Sequence, residues 1–419
     1  MTEHTPDGTS PSKIVWENLE AFARQEIQGF LQRLLEEEVT ELVGRQRSER
    51  RIGSAAGDVA DAPPVYRNGY GKERRLTTSC GTITVRRPRV RGLAARFESR
   101  LLPCFRRRTQ QVDHLLPELY LHGLAAGDFD RALRGLLGDE APISAATVAR
   151  LKAGWQAEYD TWKQRSLAEL EVVYVWVDGI YVKAGLEKEK AALLVVLGAL
   201  RDGKKVILAV EAGQRESTES WSSVLRELKK RGLNSPQLII GDGHLGIWGA
   251  LANVFPAAQE QRCWNHRLVN VLDRVPKPQQ ATAKAHLRGM MYAETEAQAT
   301  TLKEKFQAWC RKRGCTAAGE LLEVDWERLV AYYGFPHQHW KHLRTTNPVE
   351  SPFAAVRLRT SAAKRYKKVE NATAVLWKTL LLAEGHFRKL NAPELLAEVA
   401  AGVTYRDGVR VKVAQKIAA

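Results

Sequence analysis

Three acidic residues have the types and positions needed for metal-assisted chemistry. Asp178 and Asp242 each follow an apolar run and precede a glycine, and Glu350 follows Asn347-Pro348, a pair that predicts a helix start. A carboxylate at the exit of a buried strand is unfavourable unless it is solvated, paired or bound to metal. On a cationic protein, such carboxylates indicate divalent metal ions and phosphoryl transfer on nucleic acid. Asp-Gly is also an ordinary turn dipeptide, and Glu350 also suits a surface ion pair.

The composition favours a polyanionic partner. The 419 residues contain 64 Lys+Arg against 48 Asp+Glu, a net charge of +16. Between Arg67 and Arg108, thirteen Lys and Arg residues stand with two acidic ones. Basic side chains gain affinity for phosphate backbones by releasing counterions, although a generally basic protein is the alternative.

The sequence argues against a membrane protein and against a disulfide framework. It contains no apolar run of about 18 residues. Its five cysteines are odd in number and form no C-x-x-C pair, which indicates reduced thiols in a cytoplasm.

The N-terminal part combines helical and strand patterns. Apolar residues at helical spacing predict a helix over 14–43, and charged, then Ala/Gly/Pro-rich sequence predicts a linker over 45–64. Thr77–Thr78 and Thr82–Val85 flank Cys80-Gly81, which predicts a small basic β-hairpin. Three short helices over 109–152 suggest a helix-turn-helix whose last helix begins after a Ser144 cap; an ordinary three-helix core is equally compatible.

The pattern changes to β-rich runs from Glu171. Three such runs, the last two joined by an Asp202-Gly203 turn, precede a helix capped near Ser217 or Thr218 and a short strand ending at Asp242. A meander, a helix and a returning strand predict a mixed α/β layer. Residues 281–335 are predicted to be helical, and a final helical stretch is predicted from about Val349 to Leu390.

Two further groups of residues are candidates for function. Cys263-Trp264-Asn265-His266 forms a C-x-x-H pair, which is half of a zinc site, but no second pair stands at a suitable spacing. Basic residues around Glu350 and in the hairpin are predicted to contact phosphates, with a solvated helix face as the alternative. They are Arg344, Arg357, Arg359, Lys364, Arg365, Lys367 and Lys368, and Arg86, Arg87, Arg89 and Arg91.

Four segments together resemble bacterial insertion-sequence transposases, most closely the IS256 group, also called Mutator-type. They are VWVDGIYVK around Asp178, GDGHLG around Asp242, FPAAQEQRCWNHRLVNVLDRVPK with Cys263 and His266, and LRTTNPVESPFAAVRLRT with Glu350. The segment YRNGY…RRPRVRG (66–92) is similar to the family's N-terminal region. The resemblance covers roughly residues 14–395. Cys263 and His266 match a Cys/Asp-x-x-His signature of the family, and the favoured role for this pair is local packing or positioning of a DNA strand.

The resemblance implies a DDE triad of Asp178, Asp242 and Glu350 on an α/β, RNase H-like core interrupted by an all-helical insertion. Asp178 would lie on the first strand and Asp242 after the fourth. The intervals between the three residues are 64 and 108 residues, and the second is too long for a simple loop. The three carboxylates would bind two Mg²⁺ ions, with Mn²⁺ as a substitute.

The resemblance, joined to the sequence pattern, predicts the following organisation: 1–44, a helical segment and candidate dimer element; 45–108, a linker and basic hairpin; 109–165, a helix-turn-helix-like DNA-binding domain; 166–276, the first part of the core; 277–340, the helical insertion; 341–395, the second part; and 396–419, a tail.

The predicted function is cleavage and strand transfer of DNA at terminal inverted repeats. The predicted partners are double-stranded DNA, both repeat and target, and a second copy of the chain, with no nucleotide cofactor and no membrane. The expected location is the bacterial cytoplasm, on the nucleoid. The alternatives are a metal-dependent nuclease of the same fold and a transposase-derived DNA-binding protein without catalysis.

Overall fold

The computed structural model describes residues 16–49, 65–137, 145–185, 190–213, 217–243, 245–363 and 365–411. The chain divides into two compact units, one of residues 1–120 and 124–150, the other of 121–123 and 151–419. This division near residue 150 leaves the finer boundaries as predictions, and most of the predicted linker and the Ser144 cap lie outside the described residues. In the part of the chain described, no helix has the length and apolar character to cross a bilayer.

The first unit is built on a helix and a long β-hairpin. Helix α1 (Leu19–Val43) follows a 3-10 turn at Trp16–Asn18, and strands β1 (Tyr66–Thr78) and β2 (Gly81–Arg91) pair antiparallel. Thr78 pairs with Gly81 across the turn, where Gly81 has φ of 117°, a conformation that favours glycine. The predicted hairpin is confirmed and is longer than the Thr and Val runs indicated.

Helix α1 packs against β2 and completes its hydrogen bonding. Leu35 joins Ile83, Val85 and Leu102 in a small core. The Gln32 side chain bonds both the backbone N–H and the C=O of Arg86, each at 2.9 Å. The helix therefore supplies partners to a strand edge that would otherwise stay open.

The predicted apolar face of α1 divides between two environments. Ile27 and Leu31 pack against the hairpin core, whereas 53% of Phe30 is exposed. Three helices follow, as predicted: α2 (Gln110–Leu121), α3 (Phe129–Leu137) and α4 (Ala145–Lys163), the last longer than expected and containing the division between the units.

The second unit is built around a mixed five-stranded sheet. Its strands are β3 (Val172–Val182), β4 (Ala191–Leu200), β5 (Lys205–Gly213), β6 (Leu238–Gly241) and β7 (Gln259–Arg262). In space the order is β5-β4-β3-β6-β7, with β3, β4 and β5 antiparallel and β3, β6 and β7 parallel. The predicted meander and returning strand are confirmed, and Gly203 takes φ of 83° in the turn before β5.

Helices cover one face of this sheet. Between β5 and β6 lies α5 (Thr218–Lys230), whose first turn is capped by the Ser217 hydroxyl accepting from Ser220 N–H at 3.2 Å, as the sequence predicted. Helix α6 (Leu245–Val254) connects β6 to β7. The odd-numbered side chains of β3, Val175 and Val177, join the helix residues of α5 and α6 in one core.

The even-numbered side chains of β3 point to the opposite face. The Tyr174 hydroxyl lies 2.9 Å from His339 Nδ1, and Trp176 Nε1 donates to the backbone carbonyl of His342 at 3.0 Å. Asp178 belongs to this second set because side chains alternate along a strand. The sheet is therefore covered on both sides, and Asp178 lies on the face opposite α5 and α6.

Helices fill the interval between β7 and Glu350, as predicted. They are α7 (Trp264–Leu272), α8 (Gln280–Met291), α9 (Glu296–Lys312), α10 (Thr316–Glu323), α11 (Trp326–Val330), α12 (Trp340–Leu343) and α13 (Asn347–Glu350). The Gln261 side chain ties this helical segment to the sheet, donating to Leu329 C=O at 3.1 Å and accepting from Tyr332 N–H at 2.8 Å.

The prediction of one helical stretch from Val349 to Leu390 is wrong in its continuity. The chain instead forms α13, α14 (Phe353–Ala363) and α15 (Val369–Glu384), followed by α16 (Glu394–Ala400) and a hairpin of β8 (Tyr405–Arg406) and β9 (Val409–Arg410). Pro352 separates α13 from α14, and between α14 and α15 Tyr366 pairs with Ala184, two residues past the end of β3. Glu350 on α13 and Arg357 on α14, seven residues apart, therefore do not lie on one continuous helical face as a single helix would place them.

Candidate active site

The register of two parallel strands brings Asp178 and Asp242 side by side. Tyr174 pairs with Leu238 and Trp176 with Ile240. Continuing this register by two residues places Asp178 on β3 level with Asp242, which directly follows the end of β6. The sequence predicted that these aspartates follow strands; the pairing of β3 with β6 makes them neighbours.

Burial and neighbouring carboxylates perturb the Asp178 side chain. Desolvation by burial, and then the charges of Asp242 and Glu350, raise the pKa of Asp178 to about 7 against the opposing hydrogen bond from Gly179 N–H. That bond measures 2.8 Å. A carboxyl with this pKa is partly protonated near neutral pH. A cation between the carboxylates would favour its ionised form.

Glu350 lies on α13, a single helical turn packed against β3 and β4, near enough to Asp178 for its charge to raise the pKa of that carboxyl. Its backbone N–H donates to Thr346 C=O at 3.0 Å, and the Thr346 hydroxyl donates to its carboxylate. Thr346 is fully buried, so this bond fixes the direction of the carboxylate from the protein interior.

Cys263 joins the segments that carry the acidic residues. Its backbone N–H donates to Gly241 C=O at 2.8 Å, one residue before Asp242. Its sulfur accepts from the Thr346 backbone N–H at 3.3 Å and lies 3.2 Å from the Thr346 hydroxyl oxygen. Cys263 is completely buried. The thiol therefore connects the end of β6 to the turn that carries Glu350.

His266 adds a positive charge beside these carboxylates. Its hydrogen bond with Cys263, followed by the charges of Cys263, Glu350 and Asp242, raises the pKa of His266 to about 9 against the effect of burial. Its Nδ1 lies 3.9 Å from Glu350 Oε1. A protonated imidazole is an ion-pair partner and cannot bind a metal through either nitrogen.

Cys263, His266 and Glu350 also form a group whose donor atoms all lie within 4.8 Å of one another. Among the described residues, this is the group of three potential metal ligands whose donor atoms lie that close together. The carboxylates of Asp178, Asp242 and Glu350 do not meet the same distance limit. A structural zinc site normally has four ligands. The group is one ligand short of such a site, and the hydrogen bonds of Cys263 to Gly241 and Thr346 fit a positioning role better than a zinc site.

Comparison with known proteins identifies the family. The family model described as "Transposase, Mutator family" matches residues 10–387, most of the chain. The chain belongs to the Mutator family of transposases. This membership confirms the resemblance drawn from the four sequence segments.

Individual relatives agree with this assignment. The chain is 43% identical over 297 residues to the transposase for insertion sequence element IS6120 of Mycolicibacterium smegmatis, covering 71% of this chain and 92% of the relative. It is 39% identical over 280 residues to the transposase for IST2 of Acidithiobacillus ferrooxidans, covering 66% and 94%. It is 27% identical over 226 residues to the IS256 transposase in Tn4001 of Staphylococcus aureus, covering 54% and 57%. The protein is thus an insertion-sequence transposase of the Mutator/IS256 type.

The predicted phosphate-contacting residues of this transposase separate by exposure. In the second unit Arg357, Arg365, Lys367 and Lys368 are exposed, whereas Lys364 lies outside the described residues. Arg344 and Arg359 are only 8% and 1% exposed. Their burial does not fit the predicted direct contact with a phosphate backbone.

Arg344 has a different environment from the one expected of a DNA contact. Its guanidinium lies 5.0–5.3 Å from the ring centroids of Tyr292, Tyr332 and Trp340. Its backbone carbonyl accepts from Trp264 N–H at 2.9 Å. Cation–π contacts of this kind stabilise packing, so Arg344 holds the segment before Thr346 in place.

The hairpin arginines of the transposase also differ from one another. Arg89 and Arg91 are exposed. Arg86 forms an ion pair with Glu73, and Arg87 donates to Cys104 Sγ at 3.1 Å. Arg86, Arg89 and Arg91 therefore all have the exposure that a phosphate contact needs, with Arg86 in an ion pair, whereas Arg87 is half-buried.

Several residues at the site were not singled out by the sequence. Thr346 stands four residues before Glu350, a spacing that places two side chains on one helical face and is the only signal it offers. Arg262 and Arg267 both bond Asp325, which lies about sixty residues away in sequence. No local pattern reveals such an ion pair, because only the folded chain brings its members together.

Proposed function

We propose that this transposase uses Asp178, Asp242 and Glu350 as a DDE triad. The observation that carries the proposal is the alignment of Asp178 on β3 with Asp242 at the end of the adjacent parallel strand β6, with Glu350 presented from the turn packed against β3. The strand order β5-β4-β3-β6-β7, antiparallel on one side and parallel on the other, supports the assignment of the core as RNase H-like. The helices between β7 and Glu350 correspond to the predicted insertion.

The donor set fits divalent magnesium. Mg²⁺ prefers oxygen ligands and retains water, so three carboxylates with a substrate phosphate are a suitable set. Burial, and then the charges of Asp242 and Glu350, raise the pKa of Asp178, as expected for neighbouring carboxylates with no cation between them. A bound cation would lower this pKa again. Two ions bound there would activate the attacking oxygen and stabilise the leaving one.

The remaining residues position these groups. Thr346 directs the Glu350 carboxylate, and Cys263 ties the turn before Glu350 to the end of β6. His266, protonated at neutral pH, stands beside Glu350 and would balance its charge or approach the scissile phosphate. All three act through geometry and charge and need no redox or covalent step.

The proposed reaction has two phosphoryl transfers. Water opens the phosphodiester at an end of the element and leaves a 3′-OH on the DNA. That hydroxyl attacks a target phosphodiester, so that one bond forms as another breaks and no ATP is required. The proposed substrates are terminal inverted repeats and a target duplex.

The proposed assembly follows from the need to join two ends of DNA, and the proposed location is where that DNA lies. A homodimer or higher oligomer on DNA is proposed, with α1 as a candidate dimer element, acting in the cytoplasm on the nucleoid. The proposed DNA contacts are the exposed Arg89, Arg91, Arg357, Arg365, Lys367 and Lys368. The finer domain boundaries, such as 109–165 for a helix-turn-helix domain, belong to the same proposal.

A strand-transfer assay tests the proposal. Labelled DNA carrying the ends of the flanking element is incubated with Mg²⁺ and either wild-type or Asp242→Ala protein. Joined products with wild type alone are expected. Cleavage without joining would indicate a nuclease of the same fold, and binding without metal-dependent chemistry would indicate a DNA-binding protein.

A further inference from the structure

A cavity of about 430 Å³ lies next to Asp242 in the second unit. Gly243, the residue after Asp242, forms part of its wall, together with Arg262 at the end of β7 and Arg267 on α7. Arg262 pairs with Gly241 in the sheet, so its strand lies about 5 Å from the strand that ends at Asp242.

Two buried arginines in the wall have unused hydrogen-bonding capacity. Arg262 is 8% exposed and Arg267 is 2% exposed. Both form ion pairs with the buried carboxylate of Asp325, which Arg328 also approaches at 3.5 Å. The Nε atoms of Arg262 and Arg267 nevertheless have no hydrogen-bond partner. Both guanidinium groups line the cavity, and together they carry two positive charges against the single carboxylate of Asp325 that they share.

The cavity also carries an excess of positive charge. Arg262, Arg267 and Arg274 line it with only Asp273 and Asp325 as acidic neighbours. Burial, and then the charges of Arg262 and Arg274, lower the pKa of Arg267 to about 10. Guanidinium groups that repel one another bind an anion readily, and their planar donors match phosphate oxygens.

We propose that this cavity, called here the arginine cavity, binds a phosphate group of the DNA backbone next to the phosphodiester held by Asp178 and Asp242. Arg262 and Arg267 supply buried donors, and Arg274 supplies an exposed charge at the entrance. The inference rests on the proposed function for the identity of the substrate. It adds a site that holds the strand beside the triad and limits how far the scissile phosphate can slide.

Arg274 is the residue to change, because it is exposed and its loss removes no buried ion pair. Arg274→Gln removes the charge and Arg274→Glu reverses it. Lys284→Gln and Lys284→Glu are matched controls, since Lys284 is exposed on α8 and does not line the cavity. Binding of the full chain to labelled duplex DNA is measured over a salt series without divalent metal. Inorganic phosphate alone is then titrated into each protein and followed by phosphorus NMR.

Arg274→Gln is expected to lower the slope of log affinity against log salt by about 0.9, the loss of one phosphate contact, and Arg274→Glu by more. The Lys284 variants are expected to keep the wild-type slope, and inorganic phosphate should broaden with wild type but not with Arg274→Glu. Equal slope changes in the Arg274 and Lys284 variants would overturn the proposal. The change in slope would then reflect the general positive charge of the surface and not a phosphate contact in the arginine cavity.

Loss of phosphate binding with an unchanged DNA slope would also overturn the proposal, since the cavity would then take free phosphate and not DNA. Because the measurements contain no metal and need no cleavage, a failure of strand joining would leave their result intact. The two proposals can therefore fail separately.

Discussion

Replacing Asp178 by asparagine is expected to stabilise the metal-free protein at alkaline pH. The pKa of Asp178 is raised by burial, and then by Asp242 and Glu350, from the ordinary 3.8 to about 7. Asparagine has nearly the same shape, carries no charge, and can keep the hydrogen bond from Gly179 N–H through its oxygen. The variant therefore removes the unfavourable ionisation without leaving a cavity.

The sign and size follow from proton linkage. Below about pH 4 the carboxyl is protonated in the folded and the unfolded chain, so it has no effect. As pH rises from about 4 to 7, the unfolded chain loses the proton first, and folding stability falls. Above pH 7 the full penalty is present, at most about 4 kcal/mol for about three pH units at 1.36 kcal/mol each. At pH 5 it is below about 2 kcal/mol.

Hydrogen exchange of β3 and β6 backbone amides measures this effect locally, which avoids assuming two-state unfolding of a two-unit chain. In EDTA at pH 8, the Asp178→Asn protein should exchange more slowly than wild type, by up to about a thousandfold, and the difference should shrink at pH 5. Mg²⁺ should slow exchange in wild type but not in the variant.

Asp202→Asn is the control, because the pKa of Asp202 is lowered, chiefly by the Lys204 backbone N–H, and its neutralisation should not stabilise the protein. Equal exchange of wild type and Asp178→Asn at pH 8, or an equal gain at both pH values, would refute the electrostatic reasoning.

Three further changes test other parts of the site. Thr346→Val removes the hydroxyl that directs Glu350 and should lower the cleavage rate at saturating DNA by about 10–100-fold, while Thr346→Ser retains most activity; equal rates in single-turnover assays would contradict this. Arg89→Gln with Arg91→Gln should reduce the salt slope of DNA binding by about 0.9 per lost contact, and an unchanged slope would exclude them as phosphate contacts. Gly243→Ala places a side chain at φ of 91° and should lower the free energy of opening β6 by about 1–3 kcal/mol, measured by hydrogen exchange of the β6 amides, and unchanged exchange would contradict this.

The strongly patterned elements were predictable from local sequence. The apolar run before Asp178, the Asp202-Gly203 turn and the cap at Ser217 each contain their own physical signal, and each appears where expected. The hairpin around Gly81 was predicted from its β-branched residues, although its full length was not.

Elements that depend on neighbours were missed or misjudged. Strand β7, with the sequence Gln-Glu-Gln-Arg, has no apolar pattern and exists because it pairs with β6. The region after Glu350 has a helical composition, but Pro352 and the pairing of Tyr366 beside β3 divide it. Arg344 and Arg359 were assigned to the surface by charge alone, and packing places both inside.

The sequence by itself determined the family, the basic character and the three candidate carboxylates, because motifs, charge and apolar runs are properties of the chain. Tertiary structure decided how those carboxylates relate to one another. The parallel register of β3 and β6 aligns Asp178 with Asp242, and the hydrogen bond from the Thr346 backbone N–H to the Cys263 sulfur holds the turn of Glu350 near the end of β6. These contacts join residues up to 83 positions apart, and no local pattern records a contact over that distance.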